Sequence, residues 1–134
     1  MTDRELLGIA EKARERSYSP YSDFAVGAAL LCRDGTVFTG ANIENASFSP
    51  TVCAERVAIF SAVHAGRCEF EAIAISGGKR GEKGGFCPPC GVCRQVMTEF
   101  CGGDFKIVLG DGEEVKTYTL GEIIPLSFTK DDMR

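Results

Sequence analysis

Leu6, Leu7, Ala10 and Ala13 recur at three- and four-residue spacing, with Arg4, Glu5, Glu11, Lys12, Arg14 and Glu15 facing the other way. That period predicts an amphipathic helix, capped by Thr2 or Asp3 and running to about Ser17. Tyr18-Ser19-Pro20-Tyr21-Ser22 breaks it into a loop. The pattern then changes. Phe24 to Leu31 is almost uninterrupted apolar and small, as in a strand covered on both faces. Asp34-Gly35 is a hairpin turn signal, and Val37 to Gly40 is predicted to return antiparallel.

Asn42 to Thr51 has few apolar residues and many hydrogen-bonding ones: Asn42, Glu44, Asn45, Ser47 and Ser49. Such a loop is either a solvated connector or a segment that reads a substrate. From Cys53 onward, Val57, Ala58, Phe60, Ala62 and Val63 predict a largely buried helix ending near Gly66. Glu71 to Ser76 reads as a core strand. Gly77 to Gly85 reads as a flexible loop without the Gly-Lys-Ser/Thr ending of a phosphate-binding loop. Gly91 to Phe100 is predicted as a short helix carrying Val92, Val96, Met97 and Phe100. Phe105 to Leu109 forms a strand, Gly110-Asp111-Gly112 a turn, Val115 to Thr119 an edge strand and Leu120 to Ile124 a helical turn. Pro125 to Arg134 is a tail with one aromatic, Phe128. Strands alternate with helices, which predicts an α/β fold with a mixed sheet and helices on both faces.

Length and charge narrow the function. At 134 residues the chain suits one domain, 1–134. A net charge of −4, with no basic run beyond Lys79-Arg80, disfavours a nucleic acid polymer, whose backbone demands clustered cations. The start, Met1-Thr2-Asp3-Arg4-Glu5, lacks the basic-then-apolar order of a signal peptide, and no apolar run is long enough for a membrane. Seven cysteines without an export signal favour a reduced, cytoplasmic, metal-binding reading over disulfides. In that compartment Asn45-Ala46-Ser47 is not a glycosylation site.

The chemistry concentrates in Thr51-Val52-Cys53-Ala54-Glu55-Arg56 and Pro88-Pro89-Cys90-Gly91-Val92-Cys93-Arg94-Gln95. Cys53, Cys90 and Cys93 fall at predicted helix starts, where unpaired N–H groups and the helix dipole favour thiolates. Three protein ligands for one zinc ion per chain leave the fourth tetrahedral position for water. Glu55 would close the site as a fourth ligand, so its better role is proton shuttle, against the alternative of a helix-start glutamate serving the dipole. Three thiolates on zinc carry a net negative charge, which Arg56, and Arg94 behind it, could offset by hydrogen bonds to sulfur. Cys87 extends the run to Cys-x-x-Cys-x-x-Cys and could close the site or serve an iron–sulfur cluster. Pro88-Pro89 stiffens its approach, and it is read as a spectator. Cys32, Cys68 and Cys101 read as ordinary thiols and His64 as a capping or surface residue.

These motifs, with Tyr18 to Leu30 (YSPYSDFAVGAAL) and Asn42-Ile43-Glu44-Asn45-Ala46, resemble the small, homotetrameric, three-cysteine cytidine deaminases over almost the whole chain. The resemblance implies a three-layer α/β/α sandwich with a five-stranded mixed sheet. It implies zinc on Cys53, Cys90 and Cys93, with Glu55 moving protons between water, the base and the leaving amine. It also implies Asn42 and Glu44 on the ribose hydroxyl and Phe24 beside the base. The Ala54 backbone and the Pro88 carbonyl would read the pyrimidine edge, and Phe128 would cover the base in sites shared between subunits. The substrates implied are the nucleosides cytidine and 2′-deoxycytidine, in pyrimidine salvage. Phe48 stands where many relatives have Tyr, and Pro88 where Ser or Thr is common, although only its carbonyl is needed. Two rivals stay open: a deaminase of a related aminated base such as blasticidin S, and a non-catalytic structural-zinc or cluster module.

Overall fold

A computed structural model describes residues 1–134. Helix α1 (Asp3–Ala13) starts at Thr2, whose side chain accepts from the Glu5 amide while Glu5 reaches back to the Thr2 amide. This reciprocal pair satisfies two helix-end donors. Five strands follow in one sheet: β1 (Phe24–Cys32), β2 (Val37–Ala41), β3 (Phe70–Lys79), β4 (Lys106–Gly110) and β5 (Val115–Thr119). Helices α2 (Ala54–His64), α3 (Gly91–Phe100) and the short α4 (Leu120–Ile123) complete the framework. The order across the sheet is β2-β1-β3-β4-β5. Only β3 and β4 pair in parallel, from Ala72↔Lys106 to Ile75↔Leu109. Parallel neighbours need a crossover, and α3 lies within it.

Alternation along the strands divides the core. Leu6, Leu7 and Ala10 of α1 cluster with Ala29, Ala72, Ala74 and Val108. Ala28, Leu30, Ile73, Ile75 and Ile107 cluster instead with Ala58, Ile59 and Ala62 of α2 and Met97 of α3. The molecule is therefore the predicted α/β/α sandwich, with α1 on one face and α2 and α3 on the other. Phe60 departs from the predicted buried set, at 47% exposed.

Two glycines set how closely the helices lie. A Cβ on Gly27 of β1 would stand 2.0 Å from the Ala10 carbonyl of α1. One on Gly40 of β2 would stand 2.4 Å from the Ala54 carbonyl and 2.6 Å from the Ala58 amide. The first turn of α2 thus rests directly on backbone.

The first helix is shorter than its pattern predicts, and Arg14 does not face water. It begins a 3-10 turn (Arg14–Arg16) and is buried. Its guanidinium donates to the carbonyls of Ala25 at 2.8 Å, Glu82 at 3.0 Å and Lys79 at 3.1 Å, and pairs with Glu11 at 2.9 Å. Glu11 in turn accepts from the buried Ser76 hydroxyl at 2.5 Å and the Gly84 amide at 3.1 Å. Partial burial pushes the Glu11 carboxyl up, but these donors and Arg14 outweigh it and hold it below its usual range. The Gly77–Gly85 stretch, predicted as a flexible loop, is accordingly anchored: β3 runs on to Lys79, and Gly77 and Gly85 bridge antiparallel.

Replacing Gly40 by Ala should lower stability by about 1–3 kcal/mol, because overpacking against backbone forces α2 outward. Urea denaturation of the two chains measures it, and an unchanged midpoint would contradict the close approach.

Candidate metal centre

Cys53 is the N-cap of α2 and Cys90 the N-cap of α3, and neither side chain caps a backbone amide. Both sulfurs are thus left for other work at positive helix ends. Cys93, one turn into α3, is buried. The Cys53 and Cys90 sulfurs lie 3.7 Å apart and those of Cys90 and Cys93 3.6 Å apart, all three within 4.8 Å of one another. All seven cysteines are free thiols. For Zn–S bonds of about 2.3 Å, tetrahedral geometry sets sulfurs about 3.8 Å apart. The donor set and its spacing fit zinc, and Cys87 is not in the cluster.

Charge around the sulfurs is arranged to match. The neighbouring Cys93 thiol pulls Cys53 below the usual thiol range, with help from Arg56 and Cys90. Cys93 is itself pushed up by that hydrogen bond and by burial. Left to themselves, thiols this close do not all ionise, and a cation removes the conflict. Arg56 Nη2 approaches Cys53 Sγ at 3.5 Å. Its Nε is a buried donor with no partner, an expensive arrangement unless it serves charge on the sulfurs. Arg94, read as a second sulfur donor, is a correction. It donates to the carbonyls of Pro89 at 2.8 Å and Ile123 at 2.6 Å, bracing the cysteine loop against α4.

Glu55 is 3% exposed. Burial pushes its carboxyl from 4.5 up to about 7, and the Cys53 thiolate adds to the rise. Next to it, Ala54 is the first residue of α2, where the backbone N–H has no intrahelical partner. The Pro88 carbonyl accepts no hydrogen bond. Asn42 and Glu44 are joined to this centre through backbone: Ile43 bridges Val52, one residue before Cys53. The Phe24 ring is 40% exposed, and a Cβ on Gly77 would touch it at 3.1 Å and Cys87 Sγ at 2.7 Å. Phe128 is tethered elsewhere. Its carbonyl accepts from Gln95 Nε2 on α3 at 2.7 Å, and its ring is mostly exposed. Sequence reasoning passed over Gln95, and also Ser17 and Ser22, whose hydroxyls hold Asn42 and Glu44. For Ser17 and Ser22 the only signal was a serine-rich loop, and Gln95 stood in the cysteine motif without a role.

Comparisons agree with this chemistry. A family profile described as cytidine and deoxycytidylate deaminase zinc-binding region matches residues 1–110. A cytidine deaminase of Halalkalibacterium halodurans is 48% identical over 133 residues, covering 98% of each chain. A blasticidin-S deaminase of Bacillus cereus is 32% identical over 130 residues, covering 92% of each. The crystal structure of a cytidine deaminase from Burkholderia pseudomallei superposes with a TM-score of 0.86 at 45% identity, covering 96% of this chain and all of that one.

Changing Cys53, Cys90 or Cys93 to Ser should drop bound zinc from one per chain toward none, whereas Cys87→Ser should keep it; metal analysis of purified protein reads this. The raised Glu55 pKa gives a second expectation for metal-stripped protein. A carboxyl raised on folding destabilises the fold progressively as pH climbs from its unfolded value to its folded one, here from 4.5 to about 7. Glu55→Gln should therefore gain about 3 kcal/mol over wild type by pH 7 and nothing at pH 4, in urea titrations.

Proposed function

With the chain belonging to the cytidine and deoxycytidylate deaminase family, we propose that Glu55 carries the protons of its reaction while Asn42, Glu44 and Phe24 hold the nucleoside. The reaction is zinc-dependent hydrolysis of cytidine to uridine and ammonia, and 2′-deoxycytidine is read as a second substrate. When bound, zinc supplies Lewis-acid activation of water near neutral pH. The chain supplies the rest. Glu55 takes the proton from the attacking water and delivers it to N3 of the base as C4 gains oxygen. It then takes the remaining proton from the new C4 hydroxyl and delivers it to the amine, which leaves as ammonia while the C4 carbonyl forms, so one carboxylate serves as base and acid in turn. Burial raises the Glu55 carboxyl and a cation at the sulfurs would lower it again, so the proton can move in either direction at small cost. This buried, pKa-raised carboxyl two residues from a metal thiolate is the observation that carries the reading.

The unpaired Ala54 amide and the Pro88 carbonyl suit the donor and acceptor edge of a pyrimidine, with Phe24 flanking the ring. A single deaminase domain over 1–134 is supported by a sheet that joins all five strands. Assembly as a homotetramer with shared sites is supported by the exposure of Phe48 at 79%, Val92 at 58% and Phe128 at 57%. Phe128 of a neighbouring subunit would then cover the base. A cytoplasmic location is supported by seven unpaired thiols, and a place in pyrimidine salvage follows from a free nucleoside as substrate. No helix is long and apolar enough to cross a membrane.

Glu55→Ala should keep its zinc and lose turnover by about a thousandfold or more, since proton transfer and water positioning fail together. Ultraviolet assays on cytidine, 2′-deoxycytidine and blasticidin S measure this alongside zinc content. Near-wild-type turnover in a zinc-replete variant would remove Glu55 from the mechanism, and turnover of blasticidin S alone would favour the antibiotic reading.

A further inference from the structure

Asn42 and Glu44 alternate with Ile43 along an extended segment bridged to Tyr18 on one side and Val52 on the other. Residues two apart in extended chain share a face, so both side chains leave together. Their bonds can be counted. Asn42 Oδ1 accepts from the Val26 amide at 2.9 Å and from Ser17 Oγ at 2.6 Å, and Nδ2 donates to the Phe24 carbonyl at 2.9 Å. The Val26 amide fixes which end of the side chain is oxygen, and one N–H is left over. Glu44 Oε1 accepts from the amides of Tyr21 at 3.0 Å and Ser22 at 3.1 Å. Glu44 Oε2 accepts from Ser22 Oγ, which itself accepts from the Phe24 amide at 3.1 Å. A carboxylate oxygen accommodates two donors, so Oε2 has one place left. One spare N–H beside one spare acceptor is the complement of a single hydroxyl.

We infer that Ser22 is the positioning residue that aims Glu44 at that hydroxyl, and so sets how much the sugar counts in substrate selection. The inference rests on the deaminase reading. The backbone amides hold only one carboxylate oxygen, and Ser22 Oγ fixes the rotation that places the other. Ser22 is itself held by its loop: Asp23 takes a φ of 58°, its amide bonds the Ser19 carbonyl at 3.0 Å, and its carbonyl accepts from Arg80 at 2.9 Å. A cavity of about 320 Å³, lined by Tyr21, Ser22, Glu44, Asn45, Phe48 and Thr51, opens beside this carboxylate. Ser22 is exposed, so losing its hydroxyl leaves no hole in the core.

Steady-state kinetics on cytidine and on 2′,3′-dideoxycytidine, which lacks both ring hydroxyls, test this. Ser22→Ala should raise KM for cytidine about fivefold to tenfold, with kcat and the dideoxy kcat/KM within about twofold of wild type. Ser22→Thr, which keeps the hydroxyl, should restore the cytidine KM. Equal losses on both substrates, or an unchanged cytidine KM in the alanine variant, overturns the inference. A wild-type chain that leaves cytidine untouched overturns the deaminase reading first, before any variant is compared.

Discussion

Three sulfurs crowded within 4.8 Å are the demand to which the rest of the molecule answers. Thiolates at that separation repel by several kcal/mol at any protein-like dielectric, so they coexist only where positive charge is concentrated. The chain brings it from three directions: the N-terminus of α2, the N-terminus of α3 and the Arg56 guanidinium. Helix ends lose effect beyond a single turn, so the aim of each must be held tightly. Gly40 sets the seat of α2 on β2, and Arg94 braces the approach to α3. The Glu11–Arg14–Ser76 group fixes the loop that leads there. Features far apart in the sequence thus serve one requirement.

The same geometry gives a single carboxylate two opposed surroundings. Burial and the Cys53 thiolate hold a proton on Glu55, and a cation at the sulfurs would draw it off. A group balanced between those influences changes protonation at small cost, which is what repeated use as base and then acid requires. Full exposure would leave Glu55 a permanent anion. Burial with no cation nearby holds the proton up to about 7.

The cysteine spacing and helix starts were legible because both depend on local sequence: ligands at N-caps, a glycine after Cys90, apolar residues at helical period beyond. The layers were legible from the alternation of strands with helices, with the nearly unbroken apolar run of Phe24 to Leu31 suiting a strand covered on both faces. What escaped was long-range. Arg14 sits on the polar side of its helix pattern, and nothing nearby tells that carbonyls 11, 65 and 68 residues away will enclose it. Gly77 to Gly85 looked mobile for the same reason, as its own Gly77–Gly85 bridge is held in place by Arg14 and Glu11 of the first helix and turn. Arg94 was assigned to sulfur by sequence proximity alone, yet one helical turn directs it to carbonyls instead. Ser22 was hidden differently: a serine in a turn is commonplace, and its partner Glu44 lies 22 residues away.

Whether such a cluster does chemistry or merely holds a fold together turns on Cys87. A fourth thiolate would complete a closed tetrahedron of the structural kind. Here that sulfur packs instead where a Gly77 side chain would stand, beside the Phe24 ring. With no cation at the sulfurs, burial there, with Glu55 and Cys53 adding negative charge, pushes its thiol up to about 11, and it packs as a small apolar group. Becoming a ligand would require ionisation in that setting and departure from the β3 surface, with the rigid Pro88-Pro89 step against the move. Gly77 leaves the space that Cys87 Sγ fills, and the ligating group stays at Cys53, Cys90 and Cys93, three donors that leave a fourth tetrahedral position open, as in catalytic zinc sites.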